Sequence, residues 1–136
     1  MLYGIEKLEK WELAYIAGII DGEGCISIAK SHSTMHLTPF VEVSMTNIEC
    51  IRLLWTMTGM GKFDIRKRPA PRKTVYRWPV YKKLDIYLLL RAIHPYLVVK
   101  KEQAEVMLEF VARRLQDTPS DGRDIQLKEE IQKLNE

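Results

Sequence analysis

Cysteine is scarce in this chain. Cys25 and Cys50 are the only two among 136 residues, and without CxxC spacing they support neither a disulfide scaffold nor a thiolate metal knuckle. They read as reduced, structural thiols. Histidine is almost as thin, and His32 and His36 have no nearby cysteine pair to complete a zinc site. Long apolar runs are missing, which excludes a membrane span, and the N-terminus, rich in Glu and Lys, lacks the plan of a signal peptide. A soluble, intracellular, non-secreted protein is therefore expected. No internal repeat is visible, which matters for assembly. Acidic residues are nearly absent from one segment. Between Lys62 and Lys83, Asp64 stands alone against Lys62, Arg66, Lys67, Arg68, Arg72, Lys73, Arg77, Lys82 and Lys83.

What is present suits a single globular domain over residues 1–136. Hydrophobic residues make up 46% and charged residues 29% of the chain, enough for one buried core, expected over about 10–115 with a polar helical extension over about 118–136. The basic segment is interleaved with Phe63, Ile65, Val75, Tyr76, Trp78 and Val80. A solvated tail would lack that apolar rhythm, so the segment reads as structured ribbon with a concentrated positive surface suited to nucleic acid.

Periodicity predicts a helix from about Lys10 to Asp21, ended by Gly22 and Gly24. A half-buried strand follows at Cys25–Lys30, with Ile26 and Ile28 on one face. A loop over 31–39 leads to a second strand, in which Val41, Val43 and Met45 oppose Glu42, Ser44 and Thr46. Asn47 can cap a helix over Ile48–Thr58, stopped by Gly59 and Gly61. A third strand, Lys62–Arg68, places Phe63 and Ile65 inward. Beyond the turn at Arg68–Arg72, a fourth places Tyr76, Trp78 and Val80 inward and Val75, Arg77, Pro79 and Tyr81 outward; Pro79 confines it to an edge or bulged position. Helices at about Leu84–Ile93 and Val98–Leu115 precede a polar helix restarting at Thr118-Pro119. The order is α+β, with one sheet of about four strands covered on one face.

The other sheet face would display Ser27, Ala29, Ser31, Thr38, Glu42, Ser44, Asp64, Arg66, Arg77 and Tyr81. Arginine forks match guanine, hydroxyls serve several bases and Glu can accept from cytosine, so this palette suits a DNA groove. Lys67, Arg68, Arg72 and Lys73, nearer the turn, are placed for phosphates.

The segment Leu13–Gly24 is the most informative. Ala14, Ala17, Gly18 and Gly22 form a small-residue stripe on which a second helix could lie closely, and Asp21 and Glu23 end that helix. Carboxylates at a helix C-terminus are electrostatically unfavourable unless a cation compensates, and a divalent metal is the economical one. The acidic pair occurs once, so a site with two such ends needs two chains.

The string Ile16-Ala-Gly-Ile-Ile-Asp-Gly-Glu-Gly24 resembles the nine-residue signature of the LAGLIDADG homing endonucleases, and with the element order the resemblance covers most of the chain, weakening beyond Leu115. It implies an αββαββα fold with a saddle-shaped antiparallel sheet, followed here by C-terminal helices. It implies that the signature helices of a homodimer pack together through Ala14, Ala17, Gly18 and Asp21, with Asp21 supporting the motif end. The acid at the eighth position, here Glu23 where the family more often has Asp, is then a metal ligand, and the Gly22 carbonyl a further one. Pro95-Tyr-Leu-Val-Val-Lys-Lys-Glu-Gln-Ala104 resembles another family segment whose basic residue lies near the scissile phosphate and falls on Lys100. A polar residue that orients water in relatives falls on Asn47. The implied activity is Mg²⁺-dependent, site-specific cleavage of double-stranded DNA by an intron-encoded homodimer, at a palindromic or pseudo-palindromic target of roughly 20 base pairs, leaving short 3′ overhangs. The alternative on the same fold is a non-cleaving RNA maturase or DNA-binding regulator; an intact Glu23 and Lys100 favour cleavage.

Overall fold

A computed structural model of the chain describes residues 4–33 and 36–136. The elements are α1 (Lys10–Glu23), β1 (Gly24–Lys30), β2 (Leu37–Met45), α2 (Ile48–Thr58), β3 (Asp64–Arg66), β4 (Val75–Val80), α3 (Lys83–Ile93), α4 (Lys101–Leu115) and α5 (Gly122–Leu134), with short 3₁₀ turns at Ile5–Lys7 and His94–Tyr96. The four strands form one antiparallel sheet in the order β1-β2-β4-β3. This is the expected α+β arrangement.

Alternation sorts the sheet into two faces. Ile26 opposes Val41, which opposes Val80, and Val43 opposes Trp78; these side chains are buried and join Ile16, Ile20, Leu89, Leu90, Met107 and Phe110 in one core. The outward residues pair with one another in the same register: Cys25 with Glu42, Ser27 with Phe40, Ala29 with Thr38, Ser44 with Arg77, and Arg77 with Asp64.

Glycine is demanded at two joints. A Cβ on Gly24 would stand 2.8 Å from the Ile20 carbonyl oxygen, so only glycine lets the chain pass from α1 directly into β1. Gly61, at φ 78°, lies under β4, where a Cβ would meet the Pro79 carbonyl at 2.7 Å. The neighbouring Met60 carbonyl accepts the Trp78 indole N–H at 2.9 Å, which ties the end of α2 to the middle of β4.

Several expectations shift. Gly22 does not end the first helix: the turn continues through Glu23 and Gly24 is the cap residue. The second strand starts at Leu37, so buried Pro39 lies inside it, opposite Ile28. The third strand keeps only Asp64–Arg66. Ile65 shares the core-side face yet is 55% exposed; Phe63 already takes the aromatic stack with Trp55 and Tyr76 at the end of the helical cover. The last long helix begins at Lys101, after an extended Leu97. The C-terminal helix is more than a polar extension. Leu127 and Ile131 on α5 are fully buried in the common core, and the Asn135 amide donates to the Ile26 carbonyl at 3.0 Å, covering part of the edge of β1.

Candidate active site

The end of α1 meets the start of α4 through Asp21. Its carboxylate accepts the N–H groups of Val98, Val99 and Lys100 at 2.9, 3.0 and 3.0 Å. The Lys100 ammonium returns to the Asp21 carbonyl at 2.9 Å. The positive N-terminus of α4 and a lysine thus answer the electrostatic difficulty of an acid at the end of α1. For Asp21 the compensating charge is supplied by the chain itself, so this acid needs no bound cation.

Glu23 lies two residues on, exposed in the last turn of α1. Its helix end carries carbonyls with no partner further along, Gly22 among them, and Gly22 is exposed too. Lys100 is close enough to the start of β1 to act on the Cys25 thiol. Burial and then the Glu42 charge push that thiol up, while Lys100 pulls it down, which leaves a neutral thiol on the polar face. Asn47 sits at the same edge of the sheet, because Gly24 pairs with Val43 and β2 runs two residues further before Asn47. Its side-chain oxygen accepts the Cys50 N–H at 3.0 Å as the cap of α2.

The fit to a hard divalent cation is partial. Carboxylate and carbonyl oxygen are the right donors, but among the described residues no cluster of three or more His, Cys, Asp or Glu could hold a metal. A single chain offers one outward carboxylate here. Holding such a cation takes more oxygen donors than this end of one chain offers.

The exposed face of α1 carries Trp11, Ala14, Tyr15, Gly18 and Gly22. A Cβ placed on Gly18 or Gly22 meets nothing within 4 Å, so nothing inside the subunit requires glycine at either position. Ala17 is a correction to the expected contact surface: it is fully buried against its own core. Small residues at adjacent positions 17 and 18 point about 100° apart around a helix, and composition does not show which faces inward. Trp11, 66% exposed, and Tyr15, 40% exposed, share this exposed face, which the sequence pattern did not bring out. Their spacing from Gly18, one and two turns along the same stripe, is the signal that could have found them.

On the outward sheet face, Ser27, Ala29, Thr38, Glu42, Ser44, Asp64, Arg66 and Arg77 share one side, with Ser31 just past β1 and Tyr81, 42% exposed, just past β4. Cys25, Phe40 and Val75 belong to the same face. Arg66 is exposed at the far end of β3, and Lys67, Arg68 and Arg72 are exposed in the 67–74 loop, where the Arg68 side chain donates to the Lys73 carbonyl at 2.9 Å. Arg77 is engaged: it donates to Glu42 at 2.7 Å, and its other terminal nitrogen lies 3.8 Å from Asp64.

The architecture is that of a class of DNA-bound nucleases. By sequence, no family model and no curated protein matches the chain. By structure it is similar to the homing endonuclease I-CvuI, seen in complex with the I-CreI target in the presence of Mg: TM-score 0.74, 21% identity, covering 92% of this chain and 82% of that one. It is equally similar to the archaeal intron-encoded homing endonuclease I-Vdi141I complexed with DNA, with TM-score 0.74, 21% identity and coverage of 95% and 87%. Against the LAGLIDADG meganuclease I-AabMI bound to uncleaved DNA, the TM-score is 0.68 at 17% identity, covering 85% of this chain but only 43% of that one. The fold is therefore that of the LAGLIDADG homing endonucleases.

Proposed function

We propose that this chain is a homing endonuclease that cleaves double-stranded DNA at a specific site, acting as a homodimer with divalent metal. The observation that carries the reading is the Lys100 ammonium held 2.9 Å from the carbonyl of Asp21, two residues before the exposed Glu23. The fold match and the basic 62–83 segment support DNA as substrate.

Phosphodiester hydrolysis needs a water nucleophile, stabilisation of charge growing on phosphate, and help for the departing 3′ oxygen. Glu23 carboxylates from the two subunits, with the Gly22 carbonyls, would hold the metal, for which Mg²⁺ fits the oxygen donors. When bound, the metal supplies Lewis-acid stabilisation of phosphate charge and a more acidic water. Lys100, fixed through both its N–H and its ammonium to Asp21, directs positive charge toward the scissile phosphate. Asp21 positions Lys100 and does not itself bind metal. Asn47, whose oxygen is committed to the α2 cap, would offer its NH₂ to the attacking water. No protein nucleophile is required.

The exposed Ala14, Gly18 and Gly22 stripe lets two α1 helices approach closely, which brings the Glu23 ends together about a two-fold axis. Two sheet faces side by side then cover a palindromic or pseudo-palindromic target of roughly 20 base pairs, one helical turn per half. By resemblance, cleavage leaves short 3′ overhangs and the reading frame lies within an intron.

The test is Glu23→Gln. Cleavage of a target duplex should vanish while binding, measured by gel shift, persists, because removing a negative charge does not weaken attraction to phosphate. Undiminished cleavage by this variant would sink the assignment. Retained cleavage-independent binding to an intron RNA in preference to duplex DNA would favour the maturase reading.

A further inference from the structure

We propose that Arg77 is a preset guanine reader on the sheet face, and that Glu42 and Asp64 are its positioning residues rather than readers of their own base pairs. The inference rests on the DNA-binding reading above and names the specificity element within it.

Three adjacent strands converge on one guanidinium. Arg77 on β4 pairs with Ser44 on β2 and with Asp64 on β3, and Glu42 stands one diagonal step from it on β2. The Arg77 NH2 group donates to Glu42 Oε1 at 2.7 Å, and its NH1 group lies 3.8 Å from Asp64 Oδ2. Ser44 Oγ donates to the second Glu42 oxygen, Oε2, at 3.2 Å. Each Glu42 oxygen therefore already has a donor. As an independent reader of cytosine it would have to share oxygens whose orientation these two donors already set.

Arginine is differently placed. The bond to Glu42 uses one of its several N–H donors, and a guanidinium retains enough of them to meet both major-groove acceptors of guanine. A long, flexible side chain fixed before encounter does not have to be ordered on DNA, so its discrimination is not spent on lost freedom. The Glu42 hydrogen bond, opposed by burial and aided by the Glu42 charge and Tyr81, pushes the guanidinium further up from its ordinary range. The reverse side of the arrangement is electrostatic. Two carboxylates on a surface meant for phosphates repel DNA unless a cation sits between them, and Arg77 occupies that place.

The test is selection of binding sites by the full-length protein from a duplex library randomised across the target, with thermal unfolding run on each variant. Wild type should show a guanine preference of about tenfold or more at one base pair in each half-site, and Arg77→Ala should erase it. Glu42→Ala should reduce the preference at that same base pair and at no other. Glu42→Gln, whose carbonyl oxygen still accepts, should keep most of it. Asp64→Asn should give a smaller loss at the same position, because its contact is electrostatic and longer. In the Arg77→Ala background, Glu42→Ala should change no base preference at all. A new preference lost at a different base pair in that double variant would make Glu42 a reader and overturn the proposal. So would a guanine preference indifferent to Glu42. A wild type that selects no site overturns the DNA reading itself, and the positioning role with it.

Discussion

Asp21 shows how one side chain can join two helix ends of opposite polarity. It sits where α1 is partially negative and where α4 is partially positive, and three N–H bonds from residues 98–100 decide the balance. Asp21→Ala should leave those donors without an acceptor and lower stability by about 2 kcal/mol in urea unfolding. Asp21→Asn, which keeps one carbonyl oxygen, should lose less. Single-turnover cleavage should fall in the same order, because Lys100 loses the fixed backbone from which it reaches the site. Equal cleavage by all three proteins would mean that Lys100 needs no such support. The engaged state of Arg77 makes the same point about readers: a residue type suited to a base edge acts according to the partners that hold it.

Helix α5 is an element whose polar composition conceals a structural duty. It buries Leu127 and Ile131 fully, and ion pairs fasten its N-terminal end to α4: Arg123 with Glu109 at 2.7 Å, and Arg113 with Asp121 at 2.8 Å and Asp124 at 3.0 Å. Leu127→Ala should cost about 2–5 kcal/mol, readable as a lower midpoint in urea; a change confined to a few tenths would place α5 outside the cooperative unit. A pH dependence follows from the same contacts. The Arg123 hydrogen bond holds Glu109 below its ordinary 4.5, and bonding to the Arg123 N–H, then to Arg113, holds Asp121 below 3.8. For carboxyls depressed in the folded state, the stabilisation is present above the unfolded values and is lost as pH falls through the folded ones. The attachment of α5 should therefore weaken as pH drops below about 4. Hydrogen exchange of α5 amides, compared at pH 7 and pH 3.5 after correction for intrinsic rates, would show it, and Glu109→Gln should shrink the difference.

For the whole molecule, the decisive question is assembly. A Cβ at Gly18 meets no atom of its own subunit, so Gly18→Leu should leave the subunit folded; at a close helix crossing, leucine has no room. The variant should keep its melting temperature at low concentration while losing both the dimer and cleavage, with mass followed by light scattering. A fully active dimeric variant, or a wild type that cuts duplex as a monomer, would rule out pairing through α1. In the proposed DNA complex the loop cations would act over the full contact surface as well. Arg72→Ala should weaken all duplex sequences alike and reduce the slope of affinity against salt by about one, in contrast to the base-specific loss expected at Arg77. The same uniform loss at both would place Arg77 on phosphate.

Features written in neighbouring residues are legible in the amino-acid sequence by itself. The period-two alternation of Ile26, Ile28, Val41 and Val43 assigns the sheet faces, and Asn47 announces the start of α2, because such patterns depend on the local geometry of strand and helix. What the sequence hides involves residues brought together from afar. Asp21 meets amides 77 to 79 positions away, and Arg77 meets Glu42 across 35. Ala17 and Gly18 are equally small, yet one lies in the core and the other faces outward, and Ile65 keeps its phase while losing its cover. Periodicity tells which residues share a face. Which face is covered, how far the cover reaches and which charges it pairs depend on how every element packs on the others.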